Sequence, residues 1–443
     1  MLKMNIRVTP NNSSQNEPSV AVNLSNPNTI IATGNDFRLG DTRTGLYRST
    51  DKGKTWTNII LPLPAGFTAA ADAVVNWGDD NFFLVSALVF NRNGDQGVDG
   101  TIVVYRSTNN GQTFSTPIIV NQGNGIAEHN DKNYSAIDTS SKSPFKGHAY
   151  VSYTQFTNNV NSQILFNRST NGGLNWSAPI AITGVITGNT FVQGSNITVG
   201  PNGEVYVAWI ERQQSNLGNN AFFRIRRSND GGVTFGPIIT VSQVTALPSN
   251  LNSNVINWHF RTPTNAFLAV DLSKGHNKGR VYAVWNDYST GNAQILSSHS
   301  DNGANWSTPV RVNSENPANT QNFLPFPVVD PSSGKVKVVY YTNRVSGATN
   351  LDVFLSESSN GGNSFSKHKR VTDQSFNPNI GNPNFIGDYI FAATLPHDEL
   401  VTVWTDTRTG NQDIFANVQS SPPKPKPKPK PKPKPKPKPK PKP

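Results

Sequence analysis

The chain has 443 residues, 35% of them hydrophobic, so it is long enough to bury a large core in one domain or in several. It contains no cysteine, which excludes disulfides and thiolate metal sites. The net charge of +11 comes from ten lysines in a C-terminal Lys-Pro repeat, because the rest of the chain carries 29 basic and 28 acidic residues, a balance that argues against sequence-specific nucleic-acid binding.

The N-terminal segment MNIRVTP, residues 4 to 10, is the first predicted strand. It is similar to STPVRVN and SKHKRVT, which each end a set of strands further along the chain. We therefore expect it to complete the last strand set and to close the chain into a ring, which removes exposed sheet edges. The segment is not the apolar stretch of a signal peptide, and no apolar run approaches the roughly 18 residues of a membrane span.

Six near copies of one turn follow, beginning with STDKGKTW (49 to 56) and ending with SSNGGNSF (358 to 365). Their third residues lie 58 to 71 positions apart, which suits one four-stranded blade per repeat. These third residues are Asp51, Asn109, Asn171, Asp230, Asp301 and Asn360. We expect each to accept backbone hydrogen bonds within its turn, while the glycine two places later takes a positive φ. Because three of the six are asparagine, the turns are predicted to be structural, with no metal site.

Short alternating strands surround each turn, and helical periodicity is absent. The second strand of a set recurs seven times, as in HAYVSYTQ, RVYAVWND and LVTVWTD. We predict an all-β fold over residues 1 to 419, a seven-bladed β-propeller of four-stranded antiparallel blades, with six blades as the alternative. Residues 420 to 443 are predicted to form a separate polyproline II tail.

The six turns resemble the Asp-box, or BNR, repeats of the sialidase superfamily, and the hairpin VWTDTRTGNQDIF is similar to that of bacterial BNR-repeat proteins. The resemblance implies that the boxes lie on the propeller face opposite the ligand site. It also implies exo-sialidase chemistry, in which an arginine trio binds a carboxylate, a tyrosine assisted by glutamate attacks, and an aspartate is the acid/base. The Arg-Ile-Pro motif of that family is replaced here by NEPSVAV.

Polar residues end the predicted second strands and would lie near the ligand face. They include Glu211, Asp287 and Asp406, and an arginine often follows, as at Arg38, Arg344 and Arg408. Turn capping explains such residues, and the resemblance adds a catalytic alternative. The catalytic candidates that follow from it are Tyr389, Glu211, Asp388, Arg38, Arg344 and Arg408.

The longest predicted loop on the ligand face, residues 243 to 265, brings Trp258, His259 and Arg261 together. An aromatic platform beside hydrogen-bond donors suits a sugar ring, whereas a loop pinned by buried aromatics is the structural alternative. A second predicted binding segment is AEHNDKNY, with His129 and Asp131. The predicted ligand-binding residues are Trp258, His259, Arg261, His129, Asp131, Asp287 and Asp406.

These features favour a monomeric glycan-binding propeller, with a basic tail that attaches it to an anionic polymer or surface and with no cofactor. The expected location is extracellular or at the cell surface, with the cytoplasm left open. The alternatives are an exo-acting glycoside hydrolase of sialidase type, a polysaccharide lyase with His129 or His259 as the base, and a protein-interaction scaffold.

Overall fold

The computed structural model describes residues 4–213, 220–253, 255–314 and 319–419. The expectations about the Lys-Pro repeat lie outside these ranges. Within them every regular element is a β-strand, and no helix is long and apolar enough to cross a membrane. The strands form seven four-stranded antiparallel sheets, so the seven-bladed propeller is confirmed and the six-bladed alternative is wrong.

Each of the first six blades uses four consecutive strands. Blade 1 contains β2 (Gln15–Val22), β3 (Ile30–Leu39), β4 (Asp41–Ser49) and β5 (Thr57–Ile60). Blade 2 contains β6 (Ala69–Asp79), β7 (Phe82–Asn93), β8 (Gln96–Ser107) and β9 (Ile118–Asn121). Blade 3 contains β10 (His129–Ile137), β11 (Ala149–Thr157), β12 (Asn161–Ser169) and β13 (Ile180–Ala181).

The remaining blades follow the same pattern until the last. Blade 4 contains β14 (Thr190–Val199), β15 (Val205–Gln213), β16 (Asn220–Ser228) and β17 (Ile239–Thr245). Blade 5 contains β18 (Ala266–Val270), β19 (Val281–Asp287), β20 (Gln294–Ser300) and β21 (Val310–Arg311). Blade 6 contains β22 (Asn322–Val329), β23 (Val336–Thr342), β24 (Asp352–Ser358) and β25 (Ser366–Arg370). Blade 7 joins β26 (Phe391–Leu395), β27 (Glu399–Asp406) and β28 (Asp413–Gln419) to the N-terminal β1 (Ile6–Arg7).

The N-terminal strand closes the ring, as expected from the sequence. Ile6 pairs with Ala416 and Arg7 with Phe415, so β1 becomes the outer strand of blade 7. Arg7 also forms an ion pair with Asp413. The edge that β28 would otherwise expose is thereby covered.

The first strand of every blade contacts the first strands of both neighbouring blades, so these seven strands surround the central channel. Aromatic side chains from several of them meet inside it. Phe391 stacks on Phe326 at 4.1 Å between ring centroids and on Tyr134 at 5.8 Å, and Phe267 packs against Phe326. These aromatic side chains lie in the channel between the cavities at its two ends.

The box turns lie at the end of the blades where second strands begin, because Ile30 pairs with Ser49 beside the first box. Within that box, Lys54 N and Thr55 N donate to Asp51 Oδ1, and Gly53 N donates to Ser49 Oγ at 2.8 Å. The boxes also join blades. Arg48 Nε donates to the carbonyl of Asn110 and Arg106 Nε to that of Gly172, each in the box of the following blade.

The fifth box differs from the expected pattern. Its turn acceptor is Asn302, whose Oδ1 receives hydrogen bonds from Ala304 N and Asn305 N. The expected acceptor, Asp301, instead pairs with Arg280. The reason is spacing, because the turn serine here is Ser300, three residues before Gly303 instead of four. The role of Asp301 is therefore corrected from turn acceptor to ion-pair partner.

Candidate active site

Two cavities of comparable size lie at opposite ends of the channel. The one at the box end, about 310 Å³, has Asp138 as its only charged lining residue in the described chain, and that carboxylate accepts hydrogen bonds within its own turn. The cavity at the other end, about 540 Å³, is lined by seven ionisable residues. They are Glu17, Asp72, Arg92, His129, Asp131, Lys132 and Arg261. The cavity opposite the boxes is therefore the more highly charged of the two and is the candidate site.

Three adjacent blades place a charged residue in a left-handed backbone conformation at the same bulge of the innermost strand. Glu17, Asp72 and Lys132 have φ values of 50°, 55° and 48°, and the strand register breaks at each. For a residue with a Cβ this conformation costs about 1–2 kcal/mol. Such strain persists where the surrounding structure fixes it, and it is concentrated at functional sites. The bulges direct all three charged residues to the cavity wall.

A carboxyl pair, Glu17 and Asp72, is positioned by one amide side chain. Asn35 Nδ2 donates to Glu17 Oε2 at 2.7 Å, and Asn35 Oδ1 accepts from Asp72 N at 3.1 Å. On the other side, Asp388 N donates to Glu17 Oε1 at 3.0 Å. Glycine at 387 permits that approach, because a Cβ there would lie 3.0 Å from Glu17 Cγ and the local φ is 97°.

The electrostatics of the pair favour a neutral Glu17. Burial, followed by the charge of Asp72, raises the pKa of Glu17 well above its usual value. The same two causes raise the pKa of Asp131, whose carboxylate also accepts from Gln193 Nε2 at 3.1 Å. The charge of Asp72 therefore contributes to the raised pKa values of two neighbouring carboxyl groups. Environments that shift the pKa values of neighbouring carboxyl groups are what acid/base chemistry needs.

Lys132, Arg261 and the buried Asp388 form an ion triad beneath the cavity. Arg261 Nε donates to Asp388 Oδ1 at 2.8 Å, and Lys132 pairs with Asp388 Oδ2. Asp388 is 1% exposed, and burial opposes its ionisation, but Lys132 and Arg261 hold the pKa of its carboxyl below the usual range. The triad joins blade 3, the loop before blade 5 and the entry to blade 7.

Tyr389 stands beside the carboxyl pair. Its hydroxyl donates to Asp72 Oδ1 at 3.3 Å. Burial, followed by the charge of Glu17, raises the pKa of Tyr389 well above its usual value. The side chain is therefore a phenol that orients Asp72, and this environment disfavours the phenolate that a sialidase-type nucleophile requires.

The structure brings some of the sequence-predicted residues together at this end of the channel. His129, Asp131 and Arg261 line the cavity of about 540 Å³. Asp388 and Tyr389 lie directly beneath it, where they line a small inner cavity of about 30 Å³. His129 Nδ1 accepts from Gly100 N at 3.1 Å, which leaves Nε2 as the protonated nitrogen of the neutral ring.

The remaining arginine candidates have partners in their own hairpins and do not line this cavity. Arg38 pairs with Asp36 in its own hairpin, and Arg344 lies 5.1 Å above the Phe354 ring. Their proposed roles as a carboxylate-binding trio are corrected, because they and Arg408 do not line the described cavities at this end.

The strand-end acids have turn-capping or ion-pairing partners instead. Asp406 accepts from Arg408 N and pairs with the Arg408 guanidinium. Glu211 pairs with Arg224 at 3.1 Å. Asp287 accepts from Ser289 N and Thr245 N. Binding roles for Asp287 and Asp406 and a catalytic role for Glu211 are therefore not supported by their positions.

Trp258 is not a stacking platform. Its ring is fully buried between Phe260 and Phe323, and Nε1 donates to the carbonyl of Thr349 at 2.7 Å. Buried aromatic side chains hold this loop in place, which is the structural alternative to a sugar-binding platform. His259 is exposed and lies outside the cavity lining.

The residues that sequence reasoning missed are Glu17, Asp72, Asn35 and the half-buried aromatic Phe385, which lies 4.7 Å under the Arg261 guanidinium. A signal was available, because a single acidic residue lies in each inner strand, within NEPSVAV and AADAVVN. No group of three or more potential metal ligands occurs among the described residues.

Comparisons with known proteins agree with this architecture. No family model and no curated protein matches the chain. An α-L-arabinanase of Penicillium chrysogenum is 13% identical with a TM-score of 0.52, covering 95% of this chain and 98% of that one. A family PL25 ulvan lyase is 10% identical with a TM-score of 0.53, over 94% and 96% of the two chains. The Hadza microbial sialidase Hz136 is 16% identical with a TM-score of 0.47, over 74% and 63%. By fold, the chain is a seven-bladed β-propeller, similar in architecture to the arabinanase and the ulvan lyase.

Proposed function

We propose that this protein hydrolyses glycosidic bonds of a polysaccharide in the cavity opposite the boxes, with Glu17 as the proton donor and Asp72 as the second carboxylate. The observation that carries the proposal is the Asn35 bridge, in which one amide side chain binds the carboxyl group of Glu17 and the backbone N–H of Asp72, so that both acids lie at the wall of a cavity of about 540 Å³. A volume of this order is typical of small-molecule and saccharide sites.

The chemistry follows from the protonation states. Neutral Glu17 donates its proton to the glycosidic oxygen, so that the departing sugar leaves as an alcohol. The carboxylate of Asp72 acts at the anomeric carbon, either by direct attack or by taking a proton from the attacking water. In the first case water then cleaves the glycosyl ester, and Glu17 accepts its proton. Tyr389 orients Asp72 through its hydroxyl in either case.

This proposal favours an enzyme over a glycan-binding module or a protein-interaction scaffold. A binding site for a neutral sugar needs donors and acceptors, but it does not need two carboxyl groups with raised pKa values around a third. Nor does a flat interaction face need strained, buried charges. Proteins with this fold are described as an arabinanase and as an ulvan lyase. Fold alone does not specify a reaction, so the proposal rests on the residues.

The direct test is incubation of the protein with a panel of plant, algal and bacterial polysaccharides. We expect new reducing ends without a new double bond, measured by a reducing-sugar assay and by ultraviolet absorbance. Unsaturated products would identify a lyase and would contradict the proposal. Binding without bond cleavage across the panel would restore the binding-module alternative. Nuclear magnetic resonance of the first product assigns the anomeric configuration, and with it the role of Asp72.

We also propose that the Lys-Pro tail attaches the propeller to an anionic surface outside the cell. Its ten lysines alternate with proline, so that this segment accounts for almost all of the net positive charge of the chain. We expect a chain without residues 420 to 443 to lose salt-sensitive retention on heparin or teichoic acid. Full retention by the truncated chain would contradict this role. Replacing the tail lysines by glutamine, with the length kept, separates charge from length.

A further inference from the structure

A second, smaller cavity adjoins the proposed active site. It has a volume of about 70 Å³, and Lys132 and Gln193 belong to the walls of both cavities. Its other lining includes Arg212, Thr264 and Asn265. The two cavities are therefore neighbours that share these two side chains as a common wall.

Arg212 differs from the arginines of other hairpins. Arg38 and Arg408 pair with the aspartates that end their own second strands. The corresponding acid beside Arg212 is Glu211, but Glu211 pairs with Arg224 on the neighbouring strand. Consecutive residues of a strand point to opposite faces, so Glu211 is directed away from its neighbour.

Within the described ranges, no ion pair of Arg212 with a carboxylate occurs, and its Nη2 donates to the carbonyl of Leu247 at 3.3 Å. The side chain is half-buried, and burial lowers its pKa. A partly desolvated guanidinium without a counter-charge is unfavourable, and an oxyanion would relieve that cost through charge-assisted hydrogen bonds.

We propose that Arg212 forms an oxyanion subsite next to the carboxyl pair, and that the substrate is therefore an acidic polysaccharide. The ligand group is a sugar carboxylate or sulfate ester, because both present the paired oxygens that a guanidinium binds. The small cavity suits such a substituent better than a whole ring. This inference rests on the proposed function, because it takes the larger cavity to be the active site, and it adds the class of the substrate.

The test compares the parent with Arg212→Gln on polygalacturonate, a sulfated galactan and neutral arabinan. We expect Arg212→Gln to raise KM on the acidic polymer by about 10- to 100-fold, because hydrogen bonds to a charged group are lost, while kcat changes little. The values for arabinan are expected to stay unchanged. The comparison of polygalacturonate with the sulfated galactan decides whether the subsite binds a carboxylate or a sulfate ester. Arg168→Gln is the matched control, because Arg168 is a half-buried arginine on the box face.

Binding measured in parallel separates the two proposals. If the parent binds polygalacturonate or the sulfated galactan without cleaving it, and Arg212→Gln weakens that binding, the hydrolase proposal fails and the subsite stands. If the parent cleaves polysaccharide but Arg212→Gln has the parent's KM on every acidic polymer, the subsite fails and the hydrolase stands. If Arg168→Gln weakens binding of the acidic polymers as much as Arg212→Gln does, the effect is general charge attraction and the subsite proposal is overturned.

Discussion

Replacing Glu17 by glutamine is expected to lower kcat by about 10²- to 10⁴-fold, the range associated with loss of a general acid. The amide keeps the size of the side chain and its acceptor for Asp388 N, but it has no proton to give to the leaving oxygen. Asp72→Asn is expected to cost at least as much, because the second carboxylate is lost. Both are measured as initial rates on the polysaccharide that the parent cleaves.

The pH dependence supplies an independent readout. Because burial and Asp72 raise the pKa of Glu17, the parent stays active above the usual carboxyl range and loses activity as pH rises through that raised pKa. The same shift affects folding. Between the ordinary and the raised value the folded chain holds a proton that the unfolded chain releases, so stability falls as pH rises across this window. Glu17→Gln is expected to remove that slope from plots of melting temperature against pH.

The control is Glu128→Gln, which removes an exposed carboxylate just before β10. Its rates and melting temperatures are expected to match those of the parent at every pH. Parent-like turnover in Glu17→Gln would exclude Glu17 as the acid. An unchanged slope of melting temperature would show that its pKa is not raised. Turnover tests the catalytic role of Glu17, and the pH dependence of the melting temperature tests its raised pKa, so each idea can be excluded without the other.

The fold was largely predictable because it repeats. Each box has a local reason for its sequence, the spacing of the six boxes gives the size of one blade, and the seven second strands count the blades. Ring closure could be predicted because MNIRVTP has the character of an outer strand without a blade of its own, and Ile6 does pair with Ala416. The fifth box was misread because an aligned Asp301 is not the turn acceptor when the serine lies one place later. Sequence alignment of a turn does not fix which side chain closes it.

The site was less predictable, since it depends on contacts between distant segments. Trp258 looked exposed in a polar loop, but its partners Phe323 and Thr349 come from blade 6. Glu17 gains its raised pKa from Asp72 and from burial, neither of which is local to NEPSVAV. Likewise, Glu211 could not be assigned to Arg224 instead of Arg212 without the strand register. Local patterns give the residue types, and tertiary contacts decide which of them meet.

The buried triad makes Asp388→Asn the substitution with the largest expected effect on stability. The amide keeps the shape but leaves Lys132 and Arg261 without the carboxylate between them. Removing one partner of a buried pair costs about 3–5 kcal/mol, and we expect the lower end of this range. One reason is that the Arg261 side chain is 57% exposed and can be hydrated. Another is that Asp72 also attracts Lys132.

Chemical denaturation at several pH values measures this loss. The pKa of Asp388 is held below its usual range, so the carboxylate stabilises the fold above the ordinary carboxyl pKa, and this contribution disappears as pH falls through the lowered value. The gap between the parent and Asp388→Asn is therefore expected to be widest near neutral pH and to close in acid. Asp79→Asn is the matched control, since Asp79 and Lys146 form an exposed pair that is expected to contribute much less to stability than the triad.

A second substitution tests the physical cause. Lys132→Met in the Asp388→Asn background removes the unpaired ammonium and keeps an apolar side chain of similar length, so part of the lost stability should return. If Asp388→Asn costs no more than Asp79→Asn, or if Lys132→Met destabilises the double variant further, charge pairing is not what the triad contributes. The triad would then stabilise the fold through packing against the loop that carries Arg261. In that case the difference in stability between the parent and Asp388→Asn would be the same at neutral and at acid pH.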